Sequence, residues 1–255
     1  MNLRKYHQVM VNSKKEVKIL GIIPARGGSK SIPWKNIALL AGKPLIYYTI
    51  REAKKSRLLG AFIVSTDDPK IARVARRFGA DVPFLRPKNL AGDKSPDIEF
   101  FQHAVSWIEK HRGWKPDIVV NLRPTAPLRT AEDIDRVISL MLKTGCDSVR
   151  TVSAPNPFNP FKMWTISAQE TGIMKPLIKT AHYSKLGTDV PRQLLPKVYW
   201  QNGLVDATRA KFIKKGVIYG PDIRGVITDP LRNADLDEPK DLKLAERAMR
   251  ELKLL

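Results

Sequence analysis

The chain has 255 residues, 43% of them hydrophobic and 27% charged, which is enough apolar material for a packed core and argues against a largely disordered chain. Lys and Arg number 45 against 25 Asp and Glu, and the resulting charge of +20 attracts polyanions. The single cysteine, Cys146, excludes an intrachain disulfide, and no apolar run approaches the roughly 20 residues that a membrane helix needs.

The cations are spread along the chain, with no zinc-finger or RRM signature and no aromatic-rich basic strand. A basic enzyme surface facing anionic substrates therefore accounts for the charge as well as nucleic-acid binding does. Residues 1–16, with Arg4, Lys5, Lys14 and Lys15 against Glu16, read as a basic, mobile or loosely docked extension. They lack the apolar core and small-residue cleavage site of a signal peptide, so a cytoplasmic protein is expected.

Residues 17–255 read as a single domain. Ile19-Leu20-Gly21-Ile22-Ile23 has the near-continuous apolar, β-branched texture of a strand buried on both faces. It breaks at Pro24 into a turn holding Arg26, Gly27, Gly28, Ser29, Lys30 and Lys35. Glycines let the main chain approach a ligand and leave amide N–H groups to point at it. Such a turn suits a polyanion, most economically a triphosphate, and equally an ordinary basic turn, since neither Gly-x4-Gly-Lys-[Ser/Thr] nor Gly-x-Gly-x-x-Gly is present.

Leu45–Ala53 reads as a helix opened by Pro44, and Ala61–Thr66 as a second buried strand. Asp67-Asp68-Pro69 starts a helix over Lys70–Phe78, and Val82–Leu85 reads as a short third strand. Ile98, Phe101, Val105 and Ile108 place one apolar face on a helix from Asp97 to Arg112. A strand over Asp117–Leu122 and a helix over Ala131–Lys143 follow. Strand–helix alternation of this kind implies a mostly parallel sheet covered on both faces, with ligands beyond the carboxyl ends of its strands.

After Val152 prolines 155, 157 and 160 break the pattern, so about 154–197 reads as an inserted arm or subdomain. Lys197–Thr208 reads as a strand or hairpin, Gly225–Thr228 as a short strand, and Lys240–Leu254 as a closing helix burying Leu242, Ala245, Met249 and Leu252. Asp235-Leu236-Asp237 precedes that helix. Alternation in an extended segment puts both carboxylates on one side, a hard-oxygen pair suited to Mg²⁺, although Asp237 could equally cap the helix.

Ile22-Ile23-Pro24-Ala25-Arg26-Gly27-Gly28-Ser29-Lys30 with Ile32-Pro33-x-Lys35-Asn36 resembles the signature loop of the acylneuraminate cytidylyltransferase family. Further blocks follow in order over about residues 19–250. They are Val64–Asp67, Phe84–Ala91 with Asp93-x-Ser95, Leu122–Arg129, Pro191-Arg192-Gln193 with Asn202-Gly203, and Asp235-x-Asp237.

The resemblance implies a three-layer Rossmann-like α/β fold of the nucleotide-diphospho-sugar transferase type, with an inserted dimerisation arm. It implies transfer of CMP from CTP to the anomeric hydroxyl of a sialic-acid-like sugar acid, with Mg²⁺ or Mn²⁺ on Asp235 and Asp237. By position, Ala25, Arg26, Gly27, Ser29, Lys30 and Lys35 would hold the triphosphate, and Asn36, Arg86 and Ser95 the base and ribose. Arg123, Thr125, Lys162, Arg192, Gln193 and Asn202 would lie on the sugar side. A homodimer is implied, with neither membrane nor obligatory nucleic acid as partner. Arg123 stands where many family members have Gln, and Trp200 where some have a sugar-contacting arginine. The acceptor is therefore left open, as is a different nucleoside triphosphate or a sugar 1-phosphate.

Overall fold

The computed structural model describes residues 9–11, 15–29, 31–155, 158–167, 172–233, 236 and 238–255. Its centre is a six-stranded sheet of β1 (Ile19–Pro24), β2 (Ala61–Ser65), β3 (Ile118–Asn121), β4 (Ser148–Ser153), β5 (Trp200–Arg209) and β6 (Ile223–Ile227). The strand order is β6-β4-β5-β3-β1-β2. β5 is antiparallel to β3 and β4, whereas β6–β4, β3–β1 and β1–β2 are parallel.

The alternation within β1 explains the layering. Ile19 and Ile23 join a cluster with α1 (Leu45–Lys55), α2 (Pro69–Arg77) and α4 (Ala131–Thr144). Leu20 and Ile22, pointing the other way, pack with Phe101, Ala104, Val105 and Ile108 of α3 (Asp97–Arg112) and with Ala210 and Ile213 of the short α5 (Ala210–Lys214). Both faces of the sheet are thus covered, which is why β1 and β3 carry almost no polar residues. On α3 the buried set is Phe100, Phe101, Ala104, Val105 and Ile108, and Ile98 is only partly buried against it. The closing helix α6 (Pro239–Glu251) buries Ala245 and Met249 against Leu40, Leu45, Tyr48, Leu128 and Leu236, with Leu242 and Leu252 partly covered.

Two local expectations change. Val82–Leu85 makes no ladder; only Asp81 beside Ile63 and Leu85 beside Thr66 form single parallel bridges. Pro83 between them has no N–H to donate. Conversely, β4 is a full strand that the sequence did not announce. Residues 15–17 pair with Val9–Val11 as a separate antiparallel ribbon, and Val17 reaches the core. Within the insertion, Trp164–Ile166 and Met174–Pro176 form a second such ribbon.

Candidate active site

The turn after β1 is held by the residues that follow β2. The Ala25 N–H donates to the Ser65 carbonyl at 2.9 Å, and the Gly27 N–H to Asp67 Oδ1 at 3.0 Å. A Cβ on Gly27 would lie 2.9 Å from Asp68 Oδ2, so only glycine lets the turn pass this close. Asp68 cannot retreat, because its Oδ1 caps α2 by accepting from Lys70 N and Ile71 N at 2.7 and 3.0 Å. Asn36, buried, donates from Nδ2 to the Arg26 carbonyl at 2.9 Å and closes the turn from behind.

The turn forms one wall of a cavity of about 300 Å³ beyond the carboxyl end of the sheet. Arg26 crosses it, donating from Nη1 to the Gly92 carbonyl and to Asp93 Oδ1, each at 3.0 Å. The floor is Arg86, buried, with Nε 3.1 Å from Ser65 Oγ and its guanidinium 4.8 Å from the centre of the Phe100 ring. Burial pulls the Arg86 guanidinium down to about 10, with Asp67 and Asp97 opposing the shift, so it stays charged at neutral pH. Ser95 Oγ donates to the Asn89 carbonyl at 3.1 Å, folding the loop over the far wall.

Eight of the residues named from the sequence line this one cavity: Arg26, Ser29, Lys35, Asn36, Arg86, Ser95, Arg123 and Thr125. Ala25 and Gly27 belong to the same turn, Ala25 buried beneath it. Lys30, Asp235 and Asp237 lie outside the described residues. Arg123 and Thr125 also line a second cavity of about 280 Å³, together with Trp200, Gln201, Asn202 and Asp206. Arg123 pairs with Asp97 across the boundary. Lys162, Arg192 and Gln193 are exposed on the insertion and line neither cavity.

Three buried charges were not picked out from the sequence. Asp206, in the second cavity, pairs with Arg150 at 3.4 Å and accepts from Gln201 Nε2 at 3.3 Å. Burial raises its carboxyl above the ordinary value while Arg150 and Arg123 pull it back. Arg129 is fully buried beneath both cavities. It donates to the Leu204 carbonyl and Thr49 Oγ1, each at 2.6 Å, and to the Arg123 carbonyl at 3.1 Å. It thereby sets the backbone on which Arg123 stands. The only hint available was that it closes the block Leu122–Arg129.

The segment before α6 is tied to the same region. Arg232 Nη1 lies 2.7 Å from Asp133 Oδ2 at the start of α4, and Asn233 accepts from Asn202 Nδ2 at 3.0 Å while donating to Ser153 Oγ at 2.7 Å. Leu236, flanked by the two aspartates, is fully buried. Among the described residues no group of three or more His, Cys, Asp or Glu gathers that could hold a metal.

A cationic cleft, bordered by a glycine turn at the carboxyl ends of a doubly covered α/β sheet, is where such a fold binds an anionic ligand. A family model described as cytidylyltransferase matches residues 20–174. The flagellin modification protein B of Campylobacter coli is 30% identical over 238 residues, covering 93% of this chain and 97% of that protein. The CMP-N,N'-diacetyllegionaminic acid synthase of Legionella pneumophila is 32% identical over 235 residues, covering 91% and 97%. The chain belongs to the cytidylyltransferase family. A solved CMP:2-keto-3-deoxy-manno-octonic acid synthetase shares the fold, with a TM-score of 0.66 at 16% identity over 92% of this chain and 99% of that one.

Proposed function

We propose that the enzyme transfers CMP from CTP to the anomeric hydroxyl of a nonulosonic sugar acid and releases pyrophosphate. The observation that carries this reading is the pair of adjoining cavities that share Arg123 and Thr125. One is ringed by Arg26, Lys35 and Arg86, and the other is lined by hydrogen-bonding side chains of sugar type. The anomeric oxygen attacks the α-phosphorus, its proton passes to water, and the bond from the α-phosphorus to the oxygen bridging it to the β-phosphate breaks with its electron pair leaving on pyrophosphate. Arg26 and Lys35, with Lys30 from the same turn, supply fixed positive charge where the leaving group accumulates negative charge. Holding two anions in one cleft supplies much of the remaining acceleration.

The donor chemistry of Asp235 and Asp237, carboxylates alone, fits a hard divalent cation such as Mg²⁺ or Mn²⁺ completed by phosphate oxygens. When bound, that cation neutralises phosphate charge. Asp237→Ala is expected to lower kcat by at least a hundredfold at saturating Mg²⁺ with the far-UV spectrum unchanged; a wild-type kcat would remove the pair from the reaction.

Lys162, Arg192 and Gln193 can serve the sugar only if the insertion reaches a cleft other than its own chain's, which a homodimer would provide. No helix among the described residues is long and apolar enough to cross a membrane, and we place the reaction in the cytoplasm, where CTP is made. The deciding experiment is pyrophosphate release from CTP, GTP, UTP and ATP, each offered several nonulosonic acids and sugar 1-phosphates. Release with CTP and a sugar acid is expected; release only with a sugar 1-phosphate, or none, overturns the reading.

A further inference from the structure

Beyond the sugar-side cavity lies a third, of about 620 Å³, walled by Phe158, Met163, Val198, Tyr199 and Trp200. Its character differs from that of its neighbour. The second cavity offers Arg123, Thr125, Gln201, Asn202 and Asp206; the third is apolar except for the Tyr199 hydroxyl and the Asn233 amide. The two adjoin, and two observations tie their walls together. Trp200 lines both, and Asn202, which lines one, donates to Asn233, which lines the other, at 3.0 Å. Asn233 is fixed in turn by its donation to Ser153, and Asn202 by its donation to Thr228 Oγ1 at 2.7 Å. Among the described residues, the Asn233 amide gives one N–H to Ser153 and takes one hydrogen bond from Asn202, and an amide carries a second N–H and a second lone pair.

Such a compartment discriminates by chemistry. Phe158, Tyr199 and Trp200 are 72%, 49% and 46% exposed, so an acyl methyl laid on them covers apolar surface and leaves water at a gain, whereas a hydroxyl there finds few partners besides water. An acylamino group suits it best, with the methyl among Phe158, Met163 and Val198 and the amide at Asn233. The relative from Legionella pneumophila is named for an acid with two acetyl groups.

We propose that the third cavity is a subsite for a second acylamino group of the acceptor, with Trp200 and Asn233 as its specificity-determining residues. The enzyme then selects a di-N-acylated nonulosonic acid over a mono-N-acylated one carrying hydroxyls in that place. This inference rests on the cytidylyl transfer proposed above.

The test is kcat/KM, with CTP saturating, for N,N'-diacetyllegionaminic acid and for N-acetylneuraminic acid. Wild type is expected to favour the diacetyl acid by tenfold or more, which corresponds to about 1.4 kcal/mol. Trp200→Ala and Met163→Gln are each expected to erode the preference by lowering kcat/KM for the diacetyl acid while the KM for CTP holds, and Trp200→Phe is expected to restore most of it. Equal kcat/KM on the two acids leaves cytidylyl transfer standing and overturns the subsite. So does an equal loss on both acids in Trp200→Ala, or a change of oligomeric state in place of a change in acceptor choice, which would assign the cavity to contacts between copies. No pyrophosphate from either acid overturns the transfer reading and the subsite with it.

Discussion

Arg129 shows how one side chain can underlie a site without touching it. Burial lowers its guanidinium to about 10, against the pull of Asp133, Glu52 and Asp206, all three carboxylates themselves buried. Arg129→Met would remove its hydrogen bonds to the Leu204 and Arg123 carbonyls and to Thr49 Oγ1, while the three carboxylates keep their own cations, and losing a hydrogen bond to a charged group costs about 1.5–3 kcal/mol. A urea midpoint unchanged from wild type would contradict that assignment. Lys35 stands in the cavity wall itself, so Lys35→Ala should spare the fold and weaken CTP binding by ten- to a hundredfold, the range of one charge-assisted contact. Isothermal titration measures it, and an unaltered affinity would exclude Lys35 from the phosphate grip. The turn containing Lys35 was singled out because its glycines and cations suit a polyanion and because its residues resemble the family's signature loop. Arg129 was not, since nothing in the composition tells a buried arginine from a surface one.

At the scale of elements, the strands and helices read from apolar periodicity emerged within a few residues of expectation, except Val82–Leu85, which forms no strand. β4 escaped because Ser148, Arg150, Thr151 and Ser153 look like a surface segment. They are buried because each polar atom finds a partner inside. Thr151 Oγ1 donates to the Val205 carbonyl at 3.1 Å, Arg150 pairs with Asp206, and Ser153 accepts from Asn233. α3 has a comparable hidden dependence. His103 rests edge-on to Phe84 with ring centres 4.6 Å apart, and its Nδ1 is buried without a partner. Burial, and secondarily Arg86, holds its imidazole below the ordinary 6.5. The folded state therefore binds fewer protons than the unfolded one. The resulting stability is present above pH 6.5 and is lost as the pH falls toward the depressed value. Melting curves between pH 7.5 and 5 are expected to drop more steeply for wild type than for His103→Gln; parallel slopes would remove His103 from the pH response.

For the whole molecule, the insertion is the part least explained by a single chain. Ile166, Ile173, Met174, Leu177 and Ile178 are all between 42% and 65% exposed, a concentration of apolar surface of the kind that contacts between molecules cover. A homodimer through this ribbon is expected by light scattering at micromolar concentration, and Ile166→Asp with Met174→Asp should return monomers. A monomeric wild type would leave the insertion without that role.

The reversal of β5 has its own consequence. Because this strand runs against its neighbours, it enters the cleft by its amino end, so the chain arriving from the insertion passes straight into Trp200–Gly203 beside the acceptor. The lining of the first cavity comes from residues 24–125, and that of the second largely from the contiguous stretch Trp200–Asp206. Evolution could therefore exchange that stretch as a cassette, re-tailoring which sugar is activated while the machinery that cuts the triphosphate is inherited intact.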